Sequence, residues 1–496
     1  MLGSNPAGPA LLQERRSLLV GLVLFAACWL VLLACTSLAP PVDNIEQLTW
    51  VRSLQWGYYK HPPLTTWLLW APAKLLGLYA WTTYVTGAAF TLAAVWLLWA
   101  LLRELRGSRY ATLALGAVLC ITYYNDRLYY FNHNVVLMFF ASAALALCWR
   151  ATSQRSLRWW AALGVVLGLG SLAKYQMAVV FASVLTYWMY IQGWRDQTQR
   201  TGLLLAGLIA LIIFTPHLAW LRTNDFGPIH YALETSIGAH LPGGARSVQA
   251  GNWLLDQVLN RALPAWVLLI VALYSRRRAV PTHPERSRVI ALERPGRALL
   301  VIWGVVPLVF MPLVGLLLGA ELQLQWGTSF LLFAVPAVME LPRSAAAWSG
   351  WRLKPTFKAF MVVQILMIAV NFITSPRGPA IARDTHWRSF PLNELAVAVG
   401  GPARNALAGE PICVVSGPAA LASALALELP ERPLVLIDGR YDRSPWVNAH
   451  PTKPCGMLQL SDSSEYAKRV GGRFPGLTWR AVVSPPAQES LRTPAH

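Results

Sequence analysis

The distribution of hydrophobic residues along the chain predicts a membrane protein with many spans. Apolar runs long enough to cross a bilayer recur until about residue 374. We interpret eleven runs as membrane helices, covering residues 17–39, 82–102, 110–124, 133–150, 159–172, 174–192, 201–221, 261–275, 298–318, 326–341 and 356–374. The apolar stretch 64–80 is broken by Pro72 and Lys74, and we place it at the membrane surface. The predicted fold of this part is an all-α polytopic bundle.

The basic residues between the predicted spans indicate how the chain is oriented. Before residue 376, the proposed inner segments carry 21 Lys and Arg residues, and the outer loops and edges carry 8. This asymmetry favours a cytoplasmic N-terminus. An odd number of spans then puts residues 376–496 in the periplasm of a bacterial inner membrane protein.

The overall composition supports a membrane protein and argues against a nucleic-acid-binding one. The chain of 496 residues is 55% hydrophobic and has a mean hydropathy of +0.43. Its formal net charge is +19, but much of the surplus lies in short inner loops such as the Arg-rich segment 276–297. The charge is therefore a topology signal, and no DNA- or RNA-binding pattern accompanies it.

The last part of the chain, residues 376–496, predicts a small α/β domain that follows a membrane unit of residues 1–375. Residues 412–416, 434–437 and 481–484 have the pattern of buried strands, and residues 418–429 that of a helix. Cys413 and Cys455 also lie here, and a periplasmic location permits a disulfide between them. The sequence alone does not decide whether this bond forms.

Two carboxylates, Asp43 and Glu46, directly follow the first predicted span. If the segment is helical, a spacing of three puts both side chains on one face. Such a pair is suited to general-base catalysis, to binding sugar hydroxyls or to holding a cation. The alternatives are a solvated loop, or an N-cap formed by Asp43 on an interfacial helix of residues 44–56.

Aromatic and basic residues follow the two acids. Trp56, Tyr58 and Tyr59 can stack on a sugar, although aromatic belts are also common at membrane interfaces. Lys60 and His61 can meet an anionic phosphate, although Lys60 can also serve as an interface anchor. Pro62 and Pro63 end any helix here, and a new helix is predicted from about residue 64.

Further polar residues lie at the outer ends of later spans. Lys174 interrupts an apolar hairpin, where it either meets a lipid phosphate or snorkels to water. The triplet Asn132-His133-Asn134 heads another span. Asp126 and Arg127 can form a plain surface pair at another outer edge. Glu321 and Trp326 either contact the donor sugar or form a polar helix end. The long outer segment 222–260 is predicted to be a loop that covers the substrate.

These motifs together resemble bacterial C-type (GT-C) glycosyltransferases of the protein-mannosyltransferase-like superfamily, which includes the lipid A aminoarabinose transferase. The block Asp43-Asn44-Ile45-Glu46 followed by residues 57–67 (GYYKHPPLTTW) resembles their first outer loop. Residues 172–175 (LAKY) resemble their hairpin motif, and Gln325-Trp326 a motif before a late span. The resemblance covers roughly the whole membrane unit.

The resemblance implies an enzyme that moves a sugar from a polyprenyl-phosphate lipid to an acceptor on the periplasmic side. The acceptor is a glycolipid, a glycan or a protein. By the family pattern, Asp43 is the base or orients the acceptor, and Glu46 is a second acid. The other predicted site residues bind the donor phosphate (Lys174, Lys60 and Arg127) or the substrates (Tyr58, Tyr59, His61, His133, Asn134, Glu321 and Trp326).

One position departs from the family pattern and leaves the role of a metal open. Many relatives carry an Asp near the position of His133, which weakens the expectation of two acids that share a divalent metal ion. We further expect Asp43 and Lys174 to converge at the periplasmic rim of one cavity. Two alternatives have other functions: a lipid or glycan transporter, or flippase, without chemistry, and a scaffold that binds a partner through the outer domain.

Overall fold

The structure is a computed structural model of the chain. It describes residues 9–236, 241–276, 286–341, 348, 350–379, 387–448, 455–462, 474 and 476–484, with side chains from residue 12 and, in the third range, from residue 294. The last ten residues lie outside these ranges.

Helices dominate the described residues. They are α1 (Pro9–Thr36), α2 (Val42–Trp50), α3 (Leu64–Leu76), α4 (Ala80–Arg106), α5 (Ser108–Val118), α6 (His133–Ser153), α7 (Leu157–Ala173), α8 (Met177–Tyr190), α9 (Gln197–Thr223), α10 (Gly227–Thr235), α11 (Gly243–Leu255), α12 (Leu263–Tyr274), α13 (Arg286–Leu318), α14 (Ala334–Met339), α15 (Leu353–Thr374), α16 (Leu392–Ala406) and α17 (Ala419–Glu428). The strands are β1 (Ile412–Gly417), β2 (Leu434–Ile437), β3 (Cys455–Asp462) and β4 (Leu477–Ser484).

Within the described residues, six helices are long and apolar enough to cross a membrane: α1, α4, α6, α9, α13 and α15. A seventh span results if α11 and α12, which meet at a bend of 51°, are counted as one. Helices α7 and α8 are apolar but shorter. Each predicted span coincides with helical structure, whereas the count of eleven stays a prediction.

Three predicted segments differ in local structure from what their sequences indicated. The outer segment 222–260 is largely helical, since it contains α10, α11 and most of the π-helix Asp256–Arg261. The predicted span 326–341 consists of two 3₁₀ turns, Leu324–Ser329 and Leu331–Phe333, followed by the short helix α14. The predicted helix of residues 44–56 ends at Trp50.

The chain forms two compact units. Unit 1 contains residues 1–35, 59–65 and 84–371, and unit 2 contains residues 36–58, 66–83 and 372–496. The predicted boundary at residue 375 is close to one of these divisions. The C-terminal residues, however, pack with two segments from near the start of the chain.

Close helix packing and a buried ion pair stabilise unit 1. A Cβ atom at Gly202 of α9 would collide with the ring of Trp160 on α7, so the glycine permits the close approach of these two helices. Arg106 and Glu340 form a bidentate pair, with 2.9 Å from Nε to Oε1, and both side chains are 5% exposed. The Tyr110 hydroxyl donates to the same carboxylate. Removing one partner of such a buried pair strands the other charge, which costs several kcal/mol.

Unit 2 contains a four-stranded mixed sheet with the order β2-β1-β3-β4. β1 is parallel to β2 and β3, whereas β3 and β4 are antiparallel. The predicted α/β domain is therefore present, although the sequence did not indicate β3 or α16. A disulfide joins Cys413 in β1 to Cys455 in β3, with a Cα–Cα distance of 5.8 Å.

Candidate functional site

Lys174 lies at a break between two apolar helices of unit 1. Helix α7 ends at Ala173, α8 begins at Met177, and Lys174 itself has extended backbone angles (φ −161°, ψ 139°). Its side chain is 8% exposed, its Nζ donates to Oδ1 of Asn134 at 2.5 Å, and Nζ also lies 5.9 Å from the ring centroid of Trp326. The break thus places a buried ammonium group between an amide oxygen and an indole face.

The residues of the triplet Asn132-His133-Asn134 make different contacts at the start of α6. Asn132 is the N-cap, because its Oδ1 accepts hydrogen bonds from the backbone N–H groups of Asn134 and Val135, both at 3.1 Å. The Asn134 side chain binds Lys174, and its carbonyl accepts a hydrogen bond from Ser329 at 2.8 Å. The cap therefore fixes the position from which Asn134 reaches the lysine.

His61 and His133 form a ring contact within unit 1. Their ring centroids are 3.9 Å apart with an interplanar angle of 37°, and His133 is also hydrogen-bonded to the Pro62 backbone. Burial, followed by the charges of His133, Lys174 and Lys60, holds the pKa of His61 well below its usual range. His61 is therefore neutral at pH 7, and lysines provide the positive charge near it.

Lys60 is held between two tyrosine rings. Its Nζ lies 5.3 Å from the ring centroid of Tyr59 and 5.4 Å from that of Tyr231. The two rings meet edge to face with centroids 5.9 Å apart. This cation–π arrangement restricts a long, flexible side chain. Tyr231 belongs to α10, so the segment predicted to cover the substrate does contact a predicted site residue.

A second basic cluster surrounds the turn that carries Trp326. The guanidinium of Arg127 lies 5.7 Å from the ring centroids of both Tyr123 and Tyr130, and that of Arg261 lies 5.1 Å from Tyr123. The Tyr123 hydroxyl donates to the carbonyl of Leu324, the first residue of the 3₁₀ turn. Arg261 is also paired with Asp256 at 3.1 Å. Arg127 is therefore packed between aromatic rings in unit 1, close to the turn before α14.

The two predicted catalytic acids lie on one helix of unit 2. Asp43 is in the first turn of α2 and is half-buried, whereas Glu46 is 5% exposed. Pro41 occupies the N-cap position, so the alternative in which Asp43 caps this helix is wrong. The helix is held by hydrogen bonds from Asn44 to Thr83 and from Thr66 to Gln47. α2 therefore presents Asp43 on a fixed element.

Two residues that were predicted to bind the substrates, Tyr58 and Glu321, contact other parts of the protein. Tyr58 is 3% exposed, stacks on Trp50 at 5.0 Å between centroids, and donates its hydroxyl to the carbonyl of Ser53 at 3.0 Å. Burial raises the pKa of Tyr58 to about 12. Its ring therefore packs in the interior of unit 2. Glu321 is exposed, and its backbone N–H donates to Ser236. Both roles stay predictions.

The structure adds residues that the sequence did not indicate. Tyr231, Arg261, Asp256 and Ser329 all contact predicted site residues or their neighbours. A tyrosine or serine between spans has no distinctive sequence signal, since its role depends on a partner far along the chain. Within the described part of the chain, no group of three or more His, Cys, Asp and Glu side chains is arranged to hold a metal ion.

A family model matches a part of the chain that includes Lys60 and Lys174. The model described as dolichyl-phosphate-mannose-protein mannosyltransferase matches residues 60–220. This range begins at Lys60 and contains His61, Asn134 and Lys174.

Three galacturonosyltransferases of Rhizobium johnstonii are similar to the chain. The lipid A galacturonosyltransferase RgtD is 25% identical over 40% of this chain and 42% of its own length. The lipopolysaccharide core galacturonosyltransferase RgtB is 26% identical over 81% of this chain and 79% of its own length. The lipopolysaccharide core galacturonosyltransferase RgtA is 24% identical over 47% and 48%, respectively. The match thus spans less than half of RgtD and RgtA.

Solved structures of ArnT from Cupriavidus metallidurans have the same fold. The structure bound to undecaprenyl phosphate gives a TM-score of 0.57 at 16% identity, and covers 94% of this chain and 98% of ArnT. The apo structure gives 0.57 at 17% identity, over 89% and 93%. These comparisons confirm the resemblance to GT-C glycosyltransferases of the protein-mannosyltransferase-like superfamily.

Proposed function

Because the chain is related to GT-C glycosyltransferases, we propose that it transfers a sugar from a polyprenyl-phosphate donor to an acceptor on the periplasmic side of the inner membrane. The similarity to RgtB over most of both chains supports glycosyl transfer. The fold shared with an ArnT structure that holds undecaprenyl phosphate supports the choice of donor.

The observation that carries the proposal is the buried ammonium group of Lys174. A charged side chain inside an apolar bundle is costly, and such residues often mark substrate pathways. Lys174 is oriented by Asn134 and Trp326. Lys60 directly precedes His61 in the sequence, and the charges of both lysines contribute to the lowered pKa of His61. A preorganised pair of cations is suited to a phosphate, because the positive charge is in place before the leaving group gains its charge.

The proposed reaction is a displacement at the anomeric carbon of the donor sugar. An acceptor hydroxyl oxygen forms a bond to that carbon, and the bond from the carbon to the phosphate oxygen breaks. The electron pair leaves with the phosphate, whose added charge Lys174 and Lys60 stabilise. The acceptor proton passes to Asp43, the general base, and Glu46 supports Asp43 on the same helix.

For the sugar, we propose a uronic acid. The three similar Rhizobium enzymes are named as galacturonosyltransferases. The donor then carries a sugar carboxylate besides its phosphate. Two lysines, one fixed by Asn134 and one by two tyrosine rings, suit a donor with two anionic groups.

The proposal is tested with the purified protein and an undecaprenyl-phosphate uronic acid. We expect the sugar to move to a lipopolysaccharide-type acceptor, with free undecaprenyl phosphate released in equal amount, as measured by mass spectrometry. A protein that moves the intact donor across liposome membranes without releasing sugar would instead be a flippase, and the proposal would fail.

A further inference from the structure

Unit 2 contains a cleft that the proposed donor site does not use. The cleft encloses a volume of about 20 Å³ and lies where α2, α17 and the start of β2 meet. Its lining includes Leu48, Arg52, Ser423, Leu427 and Val435. The enclosed part of the cleft has room for a group of the size of a water molecule or a single phosphate oxygen, so a larger ligand contacts it from its open side.

Arg52 lines this cleft, and Arg432, which precedes the lining residue Pro433, lies beside Arg52. Arg52 follows α2, and its Nη2 donates to the backbone carbonyl of Arg432 at 3.2 Å. The guanidinium of Arg432 lies 5.5 Å from the ring centroid of Tyr79, and its Nη1 is buried without a hydrogen-bond partner among the described residues. Burial, and then the charge of Arg432, lowers the pKa of Arg52. Two like charges are therefore held side by side.

The described residues of the protein do not neutralise this pair. None of their carboxylates lies within ion-pair distance of either guanidinium. Glu431, next to Arg432 in the sequence, instead forms a bidentate pair with Arg404, at 2.5 and 3.1 Å. Two neighbouring cations without an acid partner are a typical arrangement for binding an external anion.

A buried hydroxyl in the cleft provides an independent indication of a ligand. Ser423 is 2% exposed, lines the cleft, and its Oγ has no hydrogen-bond partner among the described residues. A buried hydroxyl that lacks a partner costs free energy, whereas a ligand oxygen can accept a hydrogen bond from it. The cleft thus combines an unsatisfied donor with two guanidinium groups.

We propose that this cleft binds a phosphate group of the acceptor glycolipid. This inference rests on the proposed function, because it assigns a binding site to the second substrate. The guanidinium groups of Arg52 and Arg432 donate to the phosphate oxygens, and Ser423 donates a further hydrogen bond. Leu48, Leu427 and Val435 form an apolar part of the cleft wall.

The position of the cleft suits an acceptor whose reacting hydroxyl is at a distance from its phosphate. Asp43 lies in the first turn of α2, and Arg52 follows the end of that helix. The rise of an α-helix over nine residues separates them by about 13 Å. A phosphorylated disaccharide spans a distance of this order, so one acceptor molecule can reach both residues.

The test measures acceptor binding in the absence of donor, so that it does not depend on catalysis. Detergent-purified full-length protein is titrated with bisphosphorylated lipid A, with dephosphorylated lipid A and with phosphatidylglycerol. The variants are Arg52→Gln, Arg432→Gln and the double variant. Arg440→Gln is the matched control, because Arg440 is an exposed arginine of unit 2 that pairs with Asp442.

We expect the wild type to bind bisphosphorylated lipid A at least about tenfold more tightly than the dephosphorylated form, as charge-assisted hydrogen bonds predict. The double variant should lose this difference, and Arg440→Gln should keep it. Equal affinity of the wild type for both forms of lipid A would overturn the inference. Equally tight binding of phosphatidylglycerol would also overturn it, because the cleft would then be a general phospholipid site. A catalytically inactive wild type that shows the expected binding would refute only the proposed function.

Discussion

At the residue scale, specific contacts stabilise the buried ammonium group of Lys174. The amide oxygen of Asn134 accepts from Lys174, and the indole of Trp326 lies at its side. The sequence indicated each residue separately, because polar groups at span ends are unusual. It could not pair Lys174 with Asn134, since 40 residues separate them along the chain.

His61 gives a prediction about pH at the same scale. Its pKa in the folded protein lies well below its usual value of 6.5. As the pH falls through 6.5, the unfolded chain takes up a proton that the folded protein does not, so folding stability decreases. The contribution approaches about 1.4 kcal/mol per pH unit for one proton.

The prediction is checked by measuring thermal stability in detergent between pH 7.5 and pH 5.5. We expect His61→Gln to lose less stability than the wild type over this interval, because glutamine does not titrate. The same loss in both proteins would show that His61 does not have the lowered pKa assigned to it. The comparison uses the pH dependence, so a constant offset from the lost ring contact does not affect it.

At the scale of elements, the hydrophobic pattern predicted helices well and connections poorly. The predicted strand 434–437 and the observed β2 coincide, and the predicted helix 418–429 contains α17. The segment 222–260 was predicted to be a loop, yet it forms α10 and α11. Strand β3 was missed because its sequence, CGMLQLSD, is largely polar toward its end, and its pairing with β1 and β4 decides its structure.

The 3₁₀ turn that carries Trp326 depends on a glycine. A Cβ atom at Gly327 would collide with the side chain of Gln257, which itself donates to the carbonyl of Leu324 at 3.1 Å. We expect Gly327→Ala to displace the Gln257 side chain and to break its hydrogen bond to Leu324, which loosens the turn that carries the indole beside Lys174. Donor affinity should fall by about tenfold, and stability by about 1–3 kcal/mol, as is typical of overpacked sites.

Gly207→Ala is the control for this variant, because a Cβ atom at Gly207 of α9 meets nothing within 4 Å. It should keep wild-type donor affinity and be no less stable, since alanine favours a helix over glycine. Donor binding by titration and apparent Tm are the two measurements. If Gly327→Ala retained full donor affinity, the turn would not position the site.

At the scale of the whole molecule, the predicted site residues are distributed over the two units. Unit 1 contains Lys174, Lys60, His61 and His133. Unit 2 contains Asp43 and the cleft lined by Arg52. The positive-inside pattern and the motif order indicated a periplasmic active face. Residues 36–58 and 66–83 belong to unit 2 because of tertiary packing, which a local sequence pattern does not reveal.

The proposed general base, Asp43, gives a prediction that separates donor binding from the chemical step. Asp43→Asn keeps the shape of the side chain, but its amide cannot take up the proton of the acceptor's hydroxyl group. The transfer rate should therefore fall by about 100-fold or more. Donor affinity should stay unchanged. Asp442→Asn, at an exposed carboxylate of the same unit, should transfer normally. Near-normal transfer by Asp43→Asn, measured with purified protein, would rule out its assignment as the base.

The central claim is that the buried ammonium group of Lys174 holds the donor phosphate, and the most direct measurement is the affinity for undecaprenyl phosphate. The wild type should bind it, and Lys174→Met should bind at least about tenfold more weakly, because a charged hydrogen bond is lost. Lys358→Met, at an exposed lysine of α15 in the same unit, should match the wild type. Equal affinity of the wild type and a folded Lys174→Met variant would contradict the account.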